Sequence, residues 1–199
     1  MKTQRSVCQS GPRMGRPRDP ALDEAILDAA QALLEEAGCS GFTMEGVASR
    51  AGTGKQTLYR RWPSRGELLI DLYYRDPMPA PALDGTLAEA LDGFLELNLQ
   101  RLYRPWHQSL LRSLAVAAQE DAALKQVMLA RITHPRLELG RAIFHRAEAA
   151  GEVAAGLDVA LILEGAIGAI WFQLLFSPTP ITPDFKPRLL RAMLAQARG

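Results

Sequence analysis

Cysteine is nearly absent from this 199-residue chain, with Cys8 and Cys39 its only two. Cys8 sits in a polar tail, so no bridge between them is expected, and two free thiols suit a reducing cytoplasm. Histidine is as scarce. His107, His134 and His145 never fall three or four residues apart, and no metal spacing exists among the cysteines, so no metal or cofactor is expected. No nucleophile–base set is visible either, so no enzymatic activity is expected. Charge of one sign is lacking too: a net charge of +1 says nothing by itself about nucleic acid. The N-terminus is basic but no apolar run follows it, so it does not read as a secretory signal. The one long hydrophobic run, Val159 to Phe176, contains Glu164 and Gln173 and stands at the short limit for a bilayer span. It reads as a buried or subunit-interface helix, and no membrane partner is expected.

Apolar residues make up 48% of the chain, enough to bury a core in one domain and a small second one. Their spacing is helical throughout. Residues 1–18 are Gly, Pro, Arg and polar residues and read as a flexible basic arm. Asp19-Pro20 opens a first helix whose apolar face carries Leu22, Ile26, Ala30 and Leu34, with Gly38 as a left-handed end. Thr43 caps a second, short helix that Gly52 stops. A third runs from Gly54 to Arg61 and ends before Pro63. Ser64 and Glu67 form a capping box for a fourth, reaching Arg75. Prolines at 77, 79 and 81 then mark a boundary between residues 19–76 and a second helical domain, 83–199. Nine or ten helices and no strand predict an all-α fold.

The distribution of charge is more telling than its sum. Residues 39–66 carry Arg50, Lys55, Arg60, Arg61 and Arg65 against Glu45 alone, and the acids lie to either side. A positive patch on a neutral protein is what phosphate contact requires. Three positions give that patch a geometry. Ala48 is small enough for a close helix crossing, Gly52 tolerates positive φ in a tight turn, and Leu58 packs the second helix onto the first. That is a helix-turn-helix. Its second helix begins with Thr53, Gly54, Lys55, Gln56, Thr57 and Tyr59 and contains no acid, as the groove-entering end of a recognition helix requires. Lys55 suits guanine and Gln56 adenine, while Thr43, Thr57 and Tyr59 offer hydroxyls to phosphates and Arg60, Arg61 and Arg65 offer charge. Gly52-Thr53-Gly54-Lys55-Gln56-Thr57 is not a phosphate-binding P-loop. Ser49 stands where that motif needs its first glycine, and Gln56 where it needs Ser or Thr.

From Gly15-Arg16-Pro17-Arg18 through Leu72 the chain resembles the DNA-binding domain of the TetR family of bacterial regulators. The resemblance rests on Phe42-Thr43-Met44-Glu45-Gly46-Val47-Ala48, on Ala51 through Trp62, and on Ser64-Arg65-Gly66-Glu67-Leu68-Leu69. It implies a homodimer, a recognition helix at 54–61, a phosphate-contacting Tyr59 and a basic phosphate contact at Arg65, where the family more often has lysine. Arg61-Trp62 stands where many members have His-Phe, and Trp62 is expected in the core. Arg16 and Arg18 either enter a minor groove or belong to a tail that only raises non-specific affinity.

The second half carries expectations of a coarser kind. Phe94, Tyr103, Trp106, Met128, Phe144, Trp171 and Phe172 are candidates to line an apolar effector cavity. No cluster of buried acids or bases is visible, which favours a mainly apolar or aromatic ligand. Gly165, Gly168, Ala169, Phe172, Leu189 and Met193 are candidates for a dimer interface built from the last two helices. The fourth helix is expected to be the one element touching both halves, and so the lever between them. The function expected is a dimeric DNA-binding transcriptional regulator, a repressor on a pseudo-palindromic operator released by a small ligand. The competing expectation is a helical enzyme or scaffold with an incidental helix-turn-helix.

Overall fold

The computed structural model describes residues 19–77 and 84–198. The basic arm with Arg16 and Arg18, and Cys8 within it, lie outside the described residues. Among those described there are ten α-helices and no strand: α1 (Pro20–Gly41), α2 (Met44–Arg50), α3 (Lys55–Arg61), α4 (Arg65–Tyr74), α5 (Leu87–Leu99), α6 (Pro105–Glu120), α7 (Ala122–Met128), α8 (His134–Ala149), α9 (Val159–Leu175) and α10 (Phe185–Ala197). None is long and apolar enough to cross a membrane.

Short polar side chains start most of these helices by taking up amide protons that have no partner in the first turn. Asp19, Thr43, Asp121 and Asp158 each accept from a backbone N–H two or three residues on. Thr86 and Glu89 form a complete capping box. Ser64 forms half of one: its hydroxyl accepts from Glu67 N, but Glu67 turns to that hydroxyl and not to the Ser64 amide. Gly38 has φ +64, so α1 kinks there and adds one more turn before Gly41.

Two halves pack on each other along α6, which lies against both α1 and α4. This corrects the expectation that α4 alone joins them. Residues from all ten helices share one continuous core, with Ile26, Leu58, Leu68, Leu91, Leu110 and Leu163 wholly buried. α4 also meets α7 closely, because Gly66 leaves room for Leu124: a Cβ at Gly66 would lie 2.1 Å from a Leu124 methyl. Gln108, buried in α6, donates to the carbonyls of Leu102 and Ile181 and holds the chain between α9 and α10 in place.

α7 and α8 are two parts of one rod, joined by a π-helical turn at Leu129–Thr133. The cause is Pro135. A residue there would normally donate to the carbonyl of Arg131, four residues back, and proline has no N–H to give. The turn widens, and the Tyr74 hydroxyl at the end of α4 donates to the Arg131 carbonyl in its place. Local chemistry in the second half is thereby satisfied by the last residue of α4 in the first.

Candidate nucleic-acid interface and effector cavity

α2 and α3 cross at a tight turn. Gly52 takes φ +63, its N–H donates to Ser49 O, and Thr53 N donates to Ala48 O. Ala48 is 2% exposed at the crossing and Leu58 is fully buried beneath α3. Trp62 lies in the core, with its indole N–H on Asp71 at 2.9 Å. With Leu58 and Trp62 inward, the opposite face of α3 presents Lys55, Gln56, Tyr59 and Arg60 to solvent. Gly54 caps α3 with its backbone, Thr43 caps α2 from an exposed position, and Thr53 and Thr57 are half-buried at the rim.

The cations of this half divide into two sets that composition does not separate. The acids of α1 take up arginines from the other helices: Glu36 holds Arg50 at 2.6 Å, Asp23 holds Arg61, and Asp28 and Glu24 hold Arg75. The Arg61 side chain is only 8% exposed, so it braces α3 on α1 and does not lie on the open face. Arg65 also turns inward. Its Nη2 donates to Cys39 O at 3.1 Å and Ser113 Oγ at 3.2 Å, and its guanidinium stacks 5.2 Å from the Phe42 ring centre. The phosphate clamp expected at Arg65 is therefore corrected. The longer planar group reaches past the surface to tie α1, α4 and α6 together. Lys55 and Arg60 remain outward. Lys55 pairs at 3.1 Å with Glu45, whose carboxyl is held below its usual range by its own backbone N–H and then by Lys55. Arg60 has no carboxylate within salt-bridge distance among the described residues.

Of the seven residues expected to line an effector cavity, Trp171 lines the one between α6 and α9. It joins Leu111, Ile167, Ile170 and Leu174 around a cavity of about 40 Å³. Phe94 and Phe144 are 1% exposed and fill the core; Trp106 is buried, stacked 3.6 Å from His107; Tyr103 and Met128 are half-buried elsewhere. Phe172 is 62% exposed and points away from the cavity. His107 is itself buried with neither ring nitrogen hydrogen-bonded. Burial, then the cations of Arg101 and Arg104, push it down to about 4.

The expected interface residues also divide. Gly165, Gly168 and Phe172 lie on the solvent side of α9, and a Cβ on either glycine would meet nothing within 4 Å. Leu161 and Phe176 continue that side at 65% and 72% exposure. Ala169 is half-buried. Leu189 and Met193 are buried in their own subunit, which corrects their assignment: the phase of α10 turns Arg188, Arg191 and Ala192 outward.

One cluster was missed. Arg101, after α5, and Arg131 and Arg136, on the rod of α7 and α8, meet around Tyr73 and Tyr74. Arg101 and Arg136 lie 5.1 and 5.7 Å from the Tyr73 ring centre, and Arg131 lies 4.5 Å from that of Tyr74. Arg101 donates to the carbonyls of Tyr73 and Asp76 and so caps the C-terminal end of α4. The only hint in the sequence was Pro135, which orphans a carbonyl.

Comparison with known proteins matches this architecture in both halves. Residues 26–72 match the family model for bacterial regulatory proteins of the tetR family, and residues 81–193 match the tetracyclin repressor-like C-terminal domain. The HTH-type transcriptional regulator YdeS of Bacillus subtilis is 26% identical over 176 residues, covering 87% of this chain and 88% of YdeS. The HTH-type transcriptional regulator AqdR of Rhodococcus erythropolis is 31% identical over 148 residues, covering 73% of this chain and 70% of AqdR. Among solved structures, Bacillus subtilis FadR in complex with stearoyl-CoA superposes with a TM-score of 0.64 at 18% identity, covering 87% of this chain and 98% of that one.

Proposed function

The chain belongs to the TetR family of bacterial regulatory proteins, and we propose that it works as a homodimeric repressor that occupies a pseudo-palindromic operator and leaves it when a small molecule binds the C-terminal domain. The observation that carries the DNA reading is the open face of α3. Lys55, Gln56, Tyr59 and Arg60 are exposed on a helix whose other side is anchored by Leu58 and Trp62. Lys55 and Gln56 read base edges at the entering end of α3. Tyr59, Thr43 and Arg60 hold phosphates, with Thr53 and Thr57 at the rim. Arg61 and Arg65 keep α3 and α4 in register and touch no DNA.

Two copies pair through the solvent side of α9, where Leu161, Phe172 and Phe176 form an apolar stripe broken only by two glycines and Glu164. An isologous pairing there suits half-sites about one turn of duplex apart, or somewhat more. Effector response is supported by the cavity beside Trp171 and by the fold shared with FadR, which was solved with stearoyl-CoA. Repression follows from occupancy, since an operator-bound dimer excludes polymerase from overlapping promoter DNA.

The test is selection of DNA from a random pool by the full chain, followed by anisotropy on the winning sequence. The expected result is a two-fold symmetric site, lost when Lys55→Ala and Tyr59→Phe are combined. Retention of full affinity in that double variant would overturn the assignment of α3.

A further inference from the structure

Two hollows lie on either side of the π-helical turn. The inner one is the apolar cavity beside Trp171. The outer one is a cleft of about 230 Å³ lined by Tyr73, Tyr74, Leu97, Arg101, Arg131 and Arg136, with Asp76 its one acid. Ile132 and Arg136 line both. They sit on the rod that Pro135 distorts, so a single widened turn of helix forms the partition.

The outer cleft has a chemistry that the inner one lacks. Three guanidinium groups converge on it. Asp76 is exposed and stands 4.0 Å from Arg104, and Asp71 stands 4.0 Å from Arg131. Arg136 is half-buried, and its one hydrogen bond is to the Tyr73 hydroxyl; no carboxylate lies within salt-bridge distance of it among the described residues. A guanidinium presents up to five donors in a planar fork, and Tyr73 engages one nitrogen of Arg136. Arg136 lines both hollows, so a group bound to its free donors stands at the boundary between them.

From this arrangement we infer that the effector is an apolar carboxylic acid, its carboxylate held by Arg136 in the outer cleft and its aliphatic or aromatic body passing Ile132 into the chamber beside Trp171. This rests on the effector reading above and gives it a ligand class. The charge is anchored by bidentate Arg–carboxylate geometry. The inner chamber, at about 40 Å³, is too small for such a body until α8 and α9 part. Parting them moves the turn whose Arg131 carbonyl is held by Tyr74 of α4. The ligand therefore acts on the DNA-binding half through the contact that Pro135 creates.

The experiment uses full-length protein with octanoate and 4-phenylbutyrate, each beside its neutral primary amide, read by Trp171 fluorescence in a Trp62→Phe, Trp106→Phe background and by thermal shift of the unmodified chain. The expected result is binding of the acids at least about tenfold tighter than their amides. That preference should be lost in Arg136→Gln and largely restored in Arg136→Lys, which returns the charge. Tyr74→Phe, which removes the hydroxyl bonded to the Arg131 carbonyl, should reduce the effect of the acids on operator affinity by more than it changes acid binding. Equal affinity for acids and amides overturns the carboxylate anchor but leaves an apolar effector site standing. A selective response that survives Arg136→Gln overturns the location. If the acids do not bind, while a broad set of neutral and cationic compounds also leaves both fluorescence and operator affinity unchanged, the effector reading itself falls with the proposal.

Discussion

The outward faces of α3 and α9 are both exposed, yet for opposite reasons. On α3 the exposed side chains are polar or cationic, and water satisfies them when no partner is present. On α9 they are Leu161, Phe172 and Phe176, and water does not. A polar exposed face says what chemistry a helix can engage but does not demand a partner. An apolar exposed face demands one but says little of its chemistry. The first kind suits reversible, salt-sensitive binding to DNA, and the second an association that persists through it.

The largest test of that contrast falls on α9. Gly165→Arg with Gly168→Arg adds two cations where nothing within the subunit obstructs them, so the monomer should fold as before. Light scattering should report a monomer, and operator affinity should fall by about 10²–10⁴, the gain that two linked half-sites provide. A dimer of undiminished affinity would break the comparison.

Next in size is a pH effect in neither face. His107 is kept neutral by burial and neighbouring cations, with its pKa lowered from 6.5 to about 4. Between those values the unfolded chain binds a proton that the folded chain does not. Stability should therefore fall as pH drops from about 6.5 to about 4, by up to about 3 kcal/mol. His107→Phe should flatten that slope in urea titrations run across the window; an unchanged slope would remove His107 as its source.

Two cations on the DNA-binding half sharpen the contrast further. Arg65→Met should lower the melting temperature, costing about 1–3 kcal/mol through lost buried hydrogen bonds, and should leave the salt dependence of DNA binding unchanged. Lys55→Ala should do the reverse, leaving melting alone and costing about 1–3 kcal/mol of base discrimination. If Arg65→Met instead flattened the salt slope by about one unit, Arg65 would be a phosphate contact after all. The smallest effect is expected of Glu45→Gln, which frees Lys55 from an exposed pair and should tighten operator binding slightly, measurable by anisotropy at low salt.

How much of this was legible in the sequence differs between the same two regions. Helix ends were legible because caps are local: Thr43, Gly52, Gly54 and Asp158 each act on backbone within a few residues. The outward set of α3 was partly legible, since Lys55, Gln56, Tyr59 and Arg60 share a face, but Arg61 was placed with them for its charge and Arg65 for its charge and for the family resemblance. Their partners, Asp23, Cys39 and Ser113, lie 26 to 48 residues away, and no local pattern encodes that reach. In α9 the apolar residues run all round the helix, so periodicity carried no phase, and the buried and exposed sides had to be assigned by packing. Phe172 was drawn into two roles for that reason.

Local chemistry in the chain itself was enough for an all-helical fold, a helix-turn-helix at 43–61 and the family, since each depends on spacings of a few residues acting through backbone geometry. Which charges face outward, which side of α9 is bare, and the meeting of Arg101, Arg131 and Arg136 around two tyrosines depended on contacts between distant segments. Those contacts are set by the filling of a shared core, where a helix turns to bury its largest apolar surface and carries its polar residues wherever that rotation leaves them.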